Sequence, residues 1–89
     1  MSLVTFDELV AALDSIDGLR DTGKVHPNFR FRSRPFLHFH AGDDGTYADV
    51  KFDPHADFEP VPASTPEERR ALLARVEAHV AANRGVRQS

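Results

Sequence analysis

The chain has 89 residues, enough for one small domain, a size that buries only about 60–68% of the surface exposed by the unfolded form. Hydrophobic content of 40% and charged content of 28% suit a soluble globular protein; no apolar run nears the ~20 residues that span a bilayer, and no signal-peptide pattern is seen. The lack of cysteine excludes disulfides, thiolate ligands and a cysteine nucleophile and fits the cytoplasm, while a net charge of −3 argues against broad nucleic-acid binding.

Thr5-Phe6-Asp7-Glu8 reads as a capping box, with Thr5 at the N-cap and Glu8 reaching back to it. Phe6, Leu9, Val10, Leu13 and Ile16 then recur at helical spacing as one apolar stripe, and Gly18 is placed to stop the helix in a left-handed conformation. Leu19 to Pro27 reads as a polar connector broken by Gly23 and Pro27, with His26 a solvated loop residue.

From Asn28 to Phe52 apolar and polar residues alternate over three short runs with two turn-like breaks, which predicts a three-stranded antiparallel meander. Side chains alternate with period two, so a one-residue slip sends a whole apolar set into water. A three-residue turn Ser33-Arg34-Pro35 avoids this and puts Phe31 opposite Leu37 and Arg30 opposite His38. A four-residue loop Gly42-Asp43-Asp44-Gly45 does the same, with His40 opposite Tyr47 and His38 opposite Asp49. One face then gathers Phe29, Phe31, Leu37, Phe39, Ala48, Val50 and Phe52 as core. The other gathers Arg30, Arg32, Phe36, His38, His40, Tyr47, Asp49 and Lys51.

Asp53-Pro54-His55-Ala56 reads as a turn. Residues 57–62 are extended, and their two prolines confine any fourth strand to a short edge position. Asp53, Asp57 and Glu59 read as solvated acids. Thr65-Pro66-Glu67-Glu68 opens a second helix with an N-cap threonine, proline at the first helical position and acids near the positive dipole end. Leu72, Leu73, Val76 and Val80 form its buried stripe; Arg69, Arg70, Arg75, Glu77 and Arg84 read as a solvated face. Gly85 is expected to end the helix, with Val86 to Ser89 frayed. The predicted fold is α+β: an antiparallel three- to four-stranded meander with an N-terminal and a C-terminal helix packed on one face, one domain over residues 1–89.

With both helices taken by the apolar face, the opposite face is left uncovered, and it carries the chemistry. His38-Phe39-His40 points two imidazoles the same way from one strand, which suits metal chelation, with His26, His55 or Asp49 as further candidates. Cross-strand polar pairs of His38 with Asp49 and of His40 with Tyr47 are the favoured account, so no metal and no cofactor is expected. No GxSxG elbow surrounds Ser33 or Ser64, and no phosphate loop or dinucleotide fingerprint is present. The leading expectation is a non-catalytic binding module that uses Arg30, Arg32, Phe36, His38, His40, Tyr47 and Asp49 toward a small molecule, a protein partner or a second copy in a homodimer. The alternatives are a metal site or enzyme centred on His38, His40 and Asp49, and nucleic-acid binding through Arg30, Arg32, Arg34 and Lys51.

The first helix followed by Ser15-Ile16-Asp17-Gly18-Leu19, His26-Pro27-Asn28-Phe29-Arg30-Phe31 and Arg34-Pro35-Phe36-Leu37-His38-Phe39 resembles the MmcQ/YjbR-like domains. The resemblance runs from Phe6 to Phe52. It implies a helix, an antiparallel sheet and C-terminal helices, with a DNA-binding role as proposed for some members. The chain is shorter than that family after Phe52. The His38-x-His40 strand and the final helix are also similar to the luciferase-like domain of uncharacterised bacterial proteins. Neither resemblance supplies catalytic residues.

Overall fold

The computed structural model describes residues 3, 5–23, 26–43, 45–53 and 55–86. Its elements run α1 (Phe6–Asp14), β1 (Leu19–Asp21), β2 (Asn28–Phe31), β3 (Arg34–Gly42), β4 (Gly45–Val50), β5 (Glu59–Pro62) and α2 (Pro66–Val86). The strands form one antiparallel sheet in sequence order. The α+β class follows the sequence pattern, but the sheet has five strands rather than three or four.

Both helices begin as their caps dictate. Thr5 Oγ1 accepts from Glu8 N–H (3.2 Å) while Glu8 Oε1 accepts from Thr5 N–H (2.9 Å). Thr65 and Glu68 repeat this reciprocal pair, both at 3.1 Å. Each pair satisfies two donors that a helix start would otherwise leave open. α1 ends at Asp14 with Ser15 as its C-cap, so Gly18, at φ 107°, turns the chain three residues beyond that cap rather than stopping the helix. α2 runs through Gly85 to Val86; the expected fraying of 87–89 and the side chain of Arg84 lie outside the described residues.

The strand missed by the pattern is β1. Leu19 is its single buried residue, and three residues are too few to show an alternation. Asp21 Oδ1 accepts from Gly23 N–H (3.0 Å) and Asn28 N–H (3.1 Å), which draws β1 and β2 together.

The β2–β3 connection also differs. The turn has two residues, Arg32 (φ 56°) and Ser33 (φ 66°), the double positive φ of a type I′ hairpin, reached here without glycine. Arg34 and Pro35 belong to β3. Phe29 pairs with Leu37, and Arg30 pairs with Pro35, so Phe36 is an extra residue on β3, a β-bulge. The expected pairings Phe31–Leu37 and Arg30–His38 are replaced by Phe29–Leu37 and Asn28–His38. The bulge turns consecutive side chains, Phe36 and Leu37, into the core. Phe36 therefore leaves the open face on which the pattern puts it. Its carbonyl accepts from Lys51 N–H (2.8 Å), one step beyond the Leu37–Val50 pair of β3 and β4.

The β3–β4 hairpin keeps the expected register, with His38 opposite Asp49 and His40 opposite Tyr47. Gly42 and Gly45 pair at the end of the ladder, and Asp44 of the expected loop lies outside the described residues. Gly45 adopts φ 124°, and a Cβ there would collide with Ser64 Oγ, which accepts from Thr46 N–H (2.8 Å). β5 carries Pro60 and Pro62 at the sheet edge, as their missing donors require. Before it, Ala56 N–H donates to Asp53 O (3.0 Å) in the expected turn, whose Pro54 lies outside the described residues.

One core unites Leu9 and Leu13 of α1 and Leu72, Val76 and Val80 of α2 with Phe29, Leu37, Ala48, Val50 and Val61 of the sheet. Phe39 and Phe52, expected as core, are only partly buried against it. Arg69 is not on a solvated face. It is 7% exposed and donates from Nε to Leu3 O (2.8 Å) and from Nη1 to Ala63 O (3.1 Å), tying two segments to α2.

Candidate functional site

Two places on the molecule gather the chemistry-bearing side chains, one on the face of the sheet away from the helices and one at the sheet's end against α2. The first is the middle of β3 and β4. His38 and His40 alternate with core residues and so share this face, and register brings Asp49 directly opposite His38. Asp49 Oδ2 lies 3.4 Å from His38 Nε2 and 3.1 Å from His40 Nε2. One carboxylate oxygen thus faces both imidazoles, where the pattern predicts Asp49 for His38 alone. The ring of His40 stacks on Tyr47 (5.3 Å, 24°), and that of His38 meets Phe58 edge-on (4.9 Å, 64°). Among the described residues these three are the one His/Asp/Glu group whose ligand atoms all fall within 4.8 Å of one another. His26 and His55 are exposed and do not join it.

The second place is the end of the sheet, where the β2–β3 turn, the exit of β4 and the C-terminal half of α2 enclose a cavity of about 580 Å³. Phe31, Phe36, Phe52 and Phe58 wall it with rings. His79 lies parallel to Phe36 (5.3 Å, 16°) and edge-on to Phe52 (5.4 Å). Burial among these rings lowers the His79 pKa from its ordinary value by disfavouring the charged imidazolium. Asn83, one turn further along α2, donates to His79 O (2.8 Å). Arg32, Arg34 and Lys51 supply cations to the same cavity. Lys51 Nζ sits over Phe58 at 5.3 Å, and among the described residues no carboxylate pairs with any of the three. Arg75, by contrast, is paired with Glu59 (3.0 Å) and covers Phe52 at 4.4 Å, so Glu59 is not simply solvated.

The residues expected to share one site are therefore distributed. His38, His40, Tyr47 and Asp49 cluster; Arg32 and Phe36 belong to the cavity. Arg30 serves the turn, its Nη2 donating to Ser33 O (2.6 Å). His79, Asn83 and Phe58 escape the sequence reading, although His79 and Asn83 extend the Leu72–Val76–Val80 stripe at spacings of three and four and their positions on it are a usable signal. Among the described residues no helix is long and apolar enough to cross a membrane. No protein-family model, curated protein or solved structure matches the chain, so the resemblance to YjbR-like and luciferase-like domains stands on the motifs quoted for it.

Proposed function

We propose that the protein is a binding module for a small organic anion with an aromatic or otherwise flat apolar body, held in the cavity at the end of the sheet. The observation that carries this reading is the combination of an aromatic-walled cavity of about 580 Å³ with Arg32, Arg34 and Lys51, none of them paired with a carboxylate among the described residues. Ring walls favour a flat apolar body, and free guanidinium groups favour a carboxylate or phosphate head through paired N–H donors. A volume of a few hundred cubic ångströms matches small-molecule sites in general. Among the described residues the lining holds aromatic rings, cations, Pro35, Asn83 and the imidazole of His79, groups that suit holding a flat anion.

Phenyl phosphate is a suitable probe, with benzyl alcohol as its neutral counterpart. Phenyl phosphate should raise the Tm in proportion to log concentration above its Kd, while benzyl alcohol should have little effect. The double variant R34Q/K51Q should bind phenyl phosphate at least about tenfold more weakly, the loss expected when charge-assisted hydrogen bonds are removed. Equal stabilisation by the two probes, or unchanged affinity in the variant, would contradict the assignment. A short oligothymidylate measured alongside identifies the nucleic-acid alternative: tighter binding than phenyl phosphate, with a steep salt dependence, would move the assignment there.

A further inference from the structure

We propose that His38, His40 and Asp49 form a three-ligand site for a divalent first-row metal ion, zinc foremost, on the open face of the sheet. None of the three ligands lines the anion cavity, although Phe58 borders both places. A zinc ion bonded to nitrogen and oxygen at about 2.0–2.1 Å in tetrahedral geometry sets its donor atoms about 3.3 Å apart. The two donor separations centred on Asp49 Oδ2 are 3.4 Å and 3.1 Å, so the carboxylate stands at a tetrahedral edge length from each imidazole, and the ligand atoms of all three residues lie within 4.8 Å of one another.

The scaffold is as specific as the distances. Two histidines two apart on a central strand, with the carboxylate directly opposite on the next strand, are fixed by sheet register rather than by a loop. Tyr47 stacks on the His40 ring, Phe58 meets the His38 ring edge-on, and the two imidazoles meet each other at 4.8 Å and 77°. Packing of this kind limits ring rotation and lowers the local dielectric around a bound ion. The side chains remain 31%, 44% and 23% exposed, so a fourth position faces solvent, the arrangement of sites that keep a water or a ligand on the metal. Two nitrogens and one oxygen suit zinc, copper, nickel or cobalt and disfavour magnesium and calcium, which prefer all-oxygen shells. Coordination uses the lone pair on each Nε2, so each neutral ring then carries its proton on Nδ1.

The competing account is that Asp49 accepts hydrogen bonds from both imidazoles and nothing more. The two differ in metal uptake and in tautomer. Tag-free protein should take up one Zn2+ per chain in equilibrium dialysis at micromolar concentration, and Zn2+ but not Mg2+ should raise the Tm. Long-range 15N spectra should show both rings adopting the Nδ1–H tautomer. H40Q and D49N should each weaken Zn2+ binding by at least about 100-fold, the upper range for losing even an outer partner of a metal site, while H55Q should bind as the parent does. Circular dichroism and phenyl phosphate affinity establish that the variants remain folded. Uptake well below one ion per chain, or Zn2+ affinity unchanged in H40Q and D49N, overturns the proposal.

Discussion

Phe36 shows how one residue decides what the sheet presents to solvent. As the extra residue of the bulge it is 3% exposed and joins Phe31, Phe52 and His79 in a ring cluster. Phe36→Ala should therefore lower the unfolding free energy by about 3–5 kcal/mol in urea titration. A loss below about 0.5 kcal/mol, typical of a surface position, would put the side chain back on the open face. Ser33 makes the opposite prediction. It holds φ 66° as a residue with a Cβ, a conformation that costs about 1–2 kcal/mol. Ser33→Gly should raise stability by up to about 1 kcal/mol once glycine's greater unfolded freedom is subtracted, and an unchanged or lower urea midpoint would contradict the turn. Neither residue announces its role in the sequence. A bulge is a single inserted residue of any type, and a type I′ turn lacking Asn-Gly carries no composition signal. His38, His40 and Asp49 were legible because period-two alternation and a glycine-flanked hairpin leave one register.

Among the elements, the two edge strands of the sheet are poor templates for strand pairing. β1 is three residues long, and β5 places prolines at alternate positions. Ala63 N–H donates to Thr46 O (2.9 Å), so Ala63 and Val61 face β4, while Pro60 and Pro62 occupy the positions whose nitrogens point outward. Substituting both by threonine would leave the β4 ladder intact and expose two N–H donors along the free edge. The P60T/P62T variant should self-associate more than the parent in sedimentation velocity, with unchanged far-ultraviolet circular dichroism; identical sedimentation would show that the prolines do not guard the edge. The two helix starts and the proline-bearing strand were readable because each rests on local chemistry. β1 was not, since its place depends on pairing with β2 and on Asp21, contacts that lie outside its own three residues.

For the whole molecule, the core and the cavity share α2, and His79 joins them. Its pKa is lowered in the folded state by burial, so between that value and the ordinary value near 6.5 the unfolded chain binds more protons than the folded one. Stability contributed by the neutral ring is complete above about pH 6.5 and declines as pH falls through that window. His79→Phe, which keeps a ring against Phe36, should fall less than the parent between pH 7 and pH 5 in urea unfolding; equal slopes would remove His79 from the buried ring cluster. We assign anion binding to the end of the sheet where the β2–β3 turn, the exit of β4 and α2 meet. The most direct test is a 15N–1H NMR titration of the protein with phenyl phosphate. The account predicts saturable shifts confined to the neighbourhoods of Phe31–Phe36, Lys51, Phe52, Phe58, His79 and Asn83; shifts centred on α1 and β1, or none at millimolar probe, would contradict it.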